Sequence, residues 1–191
     1  MGMAKAELDR ALDQLRELTS VGAGHAATAF SQLTGRTIEM RPPELHQDPS
    51  WPDSAGDDWS SGVLFEFEGC LGAVVAILFR EPVRDVVVRQ MLGQPSGPLT
   101  RESIEAVIME LGNILVSRVA SAIADTMGER LLPSIPVLAF EQATVQLGNL
   151  CKARGIEASA RVECEFADRL GELGGLLVLV PDAPPKREVD A

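Results

Sequence analysis

The chain has 191 residues, 46% of them hydrophobic, which suits a folded chain with a sizeable core and excludes a disordered one. Its formal net charge of −11 and pI near 4.6 set the surface against phosphate backbones, so no nucleic-acid partner is expected. No apolar run reaches the roughly 18 residues that cross a bilayer. The start, MGMAKAELDR, lacks an apolar signal core, so a cytoplasmic chain without membrane association is expected.

Leu8 to Leu33 reads as a helix, with apolar residues at Leu8, Leu12, Leu15, Leu18, Ala26, Phe30 and Leu33, Gly35 as its cap and Pro42–Pro43 beyond it. Residues 44–61, rich in Pro, Asp, Ser and Gly, read as a surface loop. The tryptophans Trp51 and Trp59 in it either fold back on the core or form a small partner-binding feature. Val63–Phe67 and Ala73–Phe79 read as strands, and Glu81–Leu92 as a helix with Pro82 near its start and Gly93 after its end. After the linker GQPSGPL, Thr100 is placed to cap a long helix reaching Met127, with Glu102 in its first turn. Val137–Leu147 looks extended. Ile156–Phe166 alternates like a half-buried antiparallel strand, and Leu176–Val180 reads as a last buried strand. The tail from Pro181 is expected to be disordered.

The chain also resembles itself. A shift of 93 residues lays 17–43 over 110–136 without a gap, with six of 27 positions identical: Glu17/Glu110, Leu18/Leu111, Ala27/Ala120, Ala29/Ala122, Gly35/Gly128 and Pro43/Pro136. This reads as an eroded internal duplication.

In the second copy Glu110 and Asn113 lie three residues apart on a helix and point the same way. The small residues Ser103, Ala106, Ser117 and Ser121 continue their stripe. The matching stripe in the first copy is Asp13, Glu17, Ser20 and Gly24. On spacing alone the plainer readings are favoured: a surface glutamate beside an asparagine bonded to a neighbouring helix, and a solvated acidic face. Gly22 and Gly24 lack the rest of a nucleotide fingerprint and have no P-loop lysine, so close helix packing explains them better. His25 reads as a packed or surface residue. Cys70, Cys151 and Cys164 are odd in number and form no CxxC pair, and with only His25 and His46 there is no histidine-based metal centre. Buried reduced thiols are expected, with neither a disulfide framework nor a zinc site.

At these residues the chain resembles the CheC/CheX/FliY family of bacterial chemotaxis phosphatases, CheC above all. The family pattern is Asp or Ser, three residues, Glu, two residues, Asn, then twenty-two residues and Pro. Glu110, Asn113 and Pro136 fit it in the second half, and Asp13, Glu17 and Pro43 in the first. GAGHAATAF at 22–30 also resembles a family stretch. Ser20 replaces the first Asn, Ala106 the second opening Asp or Ser, and His25 a common Asn.

The resemblance implies an α/β (α+β) CheC-like fold: pseudo-twofold halves, with long helices packed on a largely antiparallel sheet. It implies one domain over 1–183, with halves at about 8–93 and 100–181 and a disordered tail at 184–191. It implies hydrolysis of the aspartyl phosphate of a CheY-type receiver. Asn113 would position the water and Glu110 would dock against a receiver lysine. Glu17 and Ser20 would form a weaker first site, and Asp13, Ala106, Pro43 and Pro136 would support binding. No cofactor of its own is expected, the divalent metal (Mg) coming with the receiver. The alternative is a non-catalytic receiver-binding module like a flagellar switch protein, or an adaptor for a CheD-type deamidase.

Overall fold

The computed structural model describes residues 2–47, 59–156 and 160–182. It begins with α1 (Gly2–Thr34), six residues earlier than the apolar periodicity suggests. The Thr19, Thr28, Ser31 and Thr34 hydroxyls donate to carbonyls one turn back within α1. Gly35, at φ +67°, ends it. Then come β1 (Ile38–Met40), β2 (Glu44–His46), β3 (Trp59–Gly69), β4 (Ala73–Arg80) and α2 (Glu81–Leu92). The second half runs α3 (Arg101–Met127), β5 (Leu131–Pro133), β6 (Val137–Phe140), α4 (Ala143–Ala153), β7 (Arg161–Asp168) and β8 (Gly174–Pro181). The Thr100 hydroxyl accepts the Ser103 N–H and starts α3, and left-handed Gly128 stops it.

The strands form one antiparallel sheet in the order β1-β7-β8-β4-β3-β5, with β2 also on β7 and β6 also on β3. Alternate residues feed two cores. Phe65, Phe67, Ile77, Phe79, Phe166 and Leu177 face Leu15, Phe30, Ile108, Leu111 and Leu115 from α1 and α3, with Val87 and Val88 of α2. Leu64, Val74, Ala76, Leu78, Val178 and Val180 face Ala143, Leu147 and Cys151 of α4.

Read from either end, the strand order is the same once β1, β7 and β8 are exchanged with β5, β3 and β4. The registers follow suit. Ile38 pairs with Asp168 as Leu131 pairs with Gly69, and Glu44 with Glu163 as Val137 with Leu64. Ile38 and Leu131, like Glu44 and Val137, are related by the 93-residue shift found in the sequence.

Three expectations are corrected. Residues 44–61 are not wholly loop, because β2 and the start of β3 take both ends; 48–58, including Trp51, lie outside the described residues. Trp59 is buried in β3 beneath the Arg80 guanidinium, 4.2 Å from its ring centroid. Residues 137–147 are extended only to Phe140; Glu141 and Gln142 turn the chain at φ 61° and 53°, and α4 follows. That short helix, with β-branched residues and Gly148, has weak intrinsic propensity, and its burial on the second sheet face decides its form. Ile156 lies before β7, which begins at Arg161, although Val162, Cys164 and Phe166 do share the buried face. The two long helices α1 and α3 share one sheet face, and α4 covers the other. Residues 183–191, where the tail was expected, lie outside the described residues, and Pro181 ends β8.

By length and composition α3 is long and apolar enough to cross a membrane, a property that the search for an unbroken apolar run misses. Half of that window is buried inside this fold, against α1 and the sheet.

Two glycines set the helix positions. A Cβ on Gly22 would lie 2.8 Å from the Val119 Cγ1, so α1 and α3 touch there at backbone distance. A Cβ on Gly112 would lie 2.6 Å from Cγ2 and 2.8 Å from Cβ of Val63, so α3 rests directly on β3. Val63 is β-branched and stiff, and cannot yield by rotation alone. Gly112→Ala gains about 1 kcal/mol of helix propensity and loses roughly 1–3 kcal/mol to overpacking. The expected net result is a lower urea midpoint for Gly112→Ala, with the Gly112→Ala/Val63→Ala double variant losing less than the sum of the two single losses; strict additivity would contradict the contact.

Candidate functional site on the outer faces of the two long helices

Burial on one side of α3 dictates what the other side can offer. Ile108, Leu111, Gly112 and Leu115 turn inward. Glu110 and Asn113, about a third of a turn away, are left exposed beside exposed Ala106 and Ser121 and half-buried Ser117. On α1, Leu12, Leu15, Leu18 and Thr19 turn inward, leaving Asp13 and Glu17 exposed and Ser20 and Gly24 half-buried. The two stripes therefore occupy equivalent places on their helices.

Among the described residues, Asp13, Glu17, Ser20, Glu110 and Asn113 have no side-chain hydrogen bond or ion pair. Asn113 is thus not bonded to a neighbouring helix, contrary to the plainer reading of its spacing. It lies inside a helix at a propensity cost of about 0.6 kcal/mol relative to alanine, with no internal bond to offset it. Its carboxamide presents a donor and an acceptor outward, next to a free carboxylate.

Pro136 lies between β5 and β6, and Pro43 between β1 and β2, each half-buried. Leu138, two residues past Pro136, pairs with Val63, the residue on which Gly112 rests. The edge strand that Pro136 interrupts therefore runs along β3 at the level of Gly112.

The remaining candidates fall elsewhere. His25 is exposed on α1. His46, in β2, lies 3.4 Å from the Glu163 carboxylate. Gly22 is a packing residue, whereas Gly24 has room, its nearest neighbour being Met40 Sδ at 3.8 Å. A cavity of about 300 Å³ past the end of α1 is lined by Arg36, Thr37, Asp168, Arg169 and Leu170. Its charges are matched, Arg36 by Asp168 and Glu172, and Arg169 by Glu39. Among the described residues no cluster of three or more His, Cys, Asp or Glu is placed to hold a metal ion.

The three cysteines are free thiols. Burial pushes the Cys151 and Cys164 thiols up to about 11, with the Asp182 carboxylate adding to the effect at Cys151. Burial and then Glu129 raise Cys70 as well. None is poised as a thiolate nucleophile.

Two long helices on a single antiparallel sheet thus each turn a polar stripe to solvent. Comparison with known proteins bears on the fold that carries them. A model of the CheC-like family matches residues 11–46, which hold most of α1 with β1 and β2. The chain is 28% identical over 138 residues to the CheY-P phosphatase CheC of Bacillus subtilis (strain 168), an alignment covering 68% of this chain and 66% of that protein. Thermotoga maritima FliY superposes with a TM-score of 0.63 at 16% identity, over 90% of each chain. CheX in the CheX–CheY–BeF3–Mg complex from Borrelia burgdorferi superposes with a TM-score of 0.60 at 13% identity, over 85% of this chain and 96% of that one. The fold is that of the CheX and FliY structures, and residues 11–46 carry the match to the CheC-like family.

The buried thiols generate a prediction about pH. Because the folded state holds these protons up to about 11 while unfolded thiols release theirs near 9.0, stability is unaffected below pH 9 and falls as pH rises from 9 to 11. A thiol reagent at pH 8 should leave Cys151 and Cys164 unmodified in the native protein and modify all three in denaturant. Prompt native labelling of either would contradict their burial.

Proposed function

We propose that this chain is a phosphatase that hydrolyses the aspartyl phosphate of a CheY-type receiver in chemotaxis signalling. The observation that carries this reading is the pair Glu110 and Asn113, exposed together, without internal partners, on a helix fixed from behind by Gly112. A receiver holds its acyl phosphate with its own divalent cation, so the phosphatase has to add little chemistry. It must place one water in line with phosphorus. The Asn113 carboxamide accepts a hydrogen bond from that water and donates to a phosphoryl oxygen, orienting attack. Water attacks phosphorus, the P–O bond to the aspartyl carboxylate breaks, and inorganic phosphate and free carboxylate leave. Glu110 pairs with a receiver lysine and fixes the helix in register. Ala106 and Pro136 frame the second site, as Asp13 and Pro43 frame the first. The site of action is the cytoplasm, where such receivers signal.

The same reading takes the chain as one domain over 1–183, built from two copies of one unit. The shared 93-residue shift, the palindromic strand order and the matching registers all favour duplication. The copies then diverged at the chemistry. Ser20 stands where the water-positioning amide belongs, and its hydroxyl ends short of that amide's place. A displacement of about 1 Å costs on the order of 100-fold in such positioning. The first face on this reading binds better than it hydrolyses, which leaves a receiver-binding role of the flagellar-switch kind in that half. Adaptor function toward a CheD-type deamidase is the other alternative, and copurification with such a partner without any change in phosphate lifetime would favour it.

The test is the decay of a phosphorylated chemotaxis receiver in the presence of the protein. Acceleration is expected, with a loss of about 100-fold in Asn113→Ala. Acceleration that survives the substitution moves the chemistry away from Asn113, and no acceleration with any cognate receiver removes the phosphatase reading. Ser20→Asn should raise the rate; no gain would mean that the first helix does not dock productively.

A further inference from the structure

The first helix face differs from the second at one further place. Arg16 lies one turn before Ser20, so the two share a helix face. The 93-residue shift relates Arg16 to Met109, which is partly buried and packs against the main core. Arg16 instead is exposed. Across the rest of the surface, arginines are mostly neutralised: Arg36, Arg41, Arg80, Arg101, Arg154 and Arg169 each meet a carboxylate. Among the described residues Arg16 meets none, and neither do exposed Arg10, Arg118 and Arg130, but of these four Arg16 is the one that lies a single turn from Ser20, with Asp13 one turn before it and Glu17 directly after it. By helical angle Ser20 falls between Arg16 on one flank and Glu17 on the other.

We infer that Arg16 and Ser20 form a phosphoryl-holding site on α1, which retains a phosphorylated receiver without hydrolysing it. The inference rests on the receiver reading of the second face and extends it to a different activity for the first. The chemistry follows from the groups. A guanidinium offers forked N–H donors to phosphoryl oxygens and a serine hydroxyl adds one short donor. Neither accepts from and aligns a water as a carboxamide does. Such a pair stabilises the bound phosphoryl group in its ground state and gives the attacking water no orientation. Glu17 remains free for the receiver lysine, as Glu110 is on the other face. The occupant is therefore the same receiver, recognised by a dianionic phosphoryl group beside a cation. One chain thus carries a hydrolysing face and a holding face.

The experiment is titration calorimetry with a receiver whose phosphoryl decay the protein accelerates, loaded with beryllofluoride and Mg²⁺. Two receivers should bind per wild-type chain. Arg16→Glu and Glu110→Lys should each reduce this to one, and the double variant should bind none. Arg16→Lys should keep two, the first-face affinity falling about tenfold because a point charge replaces the fork. A stoichiometry of one in the wild type, or of two in Arg16→Glu, overturns the inference while leaving the phosphatase reading intact. Loss of accelerated decay would instead strike the phosphatase reading, and absence of any binding would overturn both.

Discussion

The contact between Gly112 and Val63 holds the rest of the structure in place. It brings the α3 backbone down directly onto the Val63 side chain of β3. Asn113 is the next residue, so its direction follows from how Gly112 is seated. A larger residue at 112 would lift the helix and swing the outward stripe by the same displacement. The Gly22 contact with Val119 does the corresponding work between α1 and α3. Close backbone approach of this kind leaves few alternative packings, because a dense core transmits any misfit.

A rigid helix face suits chemistry in which the partner supplies most of the apparatus. A phosphatase that works on a metal-bound acyl phosphate needs no enclosed pocket. It needs a projecting group held at one position, since positioning is where the rate enhancement lies. Placing such a group on a regular helix locked from behind gives tighter control than a loop would. It also explains how polar residues can remain without internal partners: they are exposed to water until a partner arrives, so the desolvation cost of an orphaned buried group never arises.

On the proposed duplication, one face can change while the other is retained. The two halves meet along β4 and β8, where apolar residues dominate both strands. The polar outer stripes do not contribute to that core, so an exchange such as Asn to Ser on one face costs the fold little. Divergence can therefore accumulate at the surface while the strand registers stay matched.

Much of this was legible from the chain alone. The apolar periodicity of α3, the Thr100 cap, the Gly93 and Gly128 stops and the strands around Val75 and Leu177 are local signals, each carried by residues within a few positions of one another. Glu110, Asn113, Glu17 and Ser20 could be singled out because the repeat and the spacing lie in the linear order. The helix α4 could not be read this way. Its form depends on burial against Leu64, Val74 and Val178, residues remote in the chain. Nor could the strand Glu44–His46, whose polar sequence becomes extended only by pairing with β7. Spacing placed Asn113 and Glu110 on one side of a helix, but only tertiary packing decided that this side faces solvent without a partner. Arg16 is one arginine among many in the sequence. That it is exposed and, like Arg10, Arg118 and Arg130, pairs with no carboxylate among the described residues is decided by the folded surface.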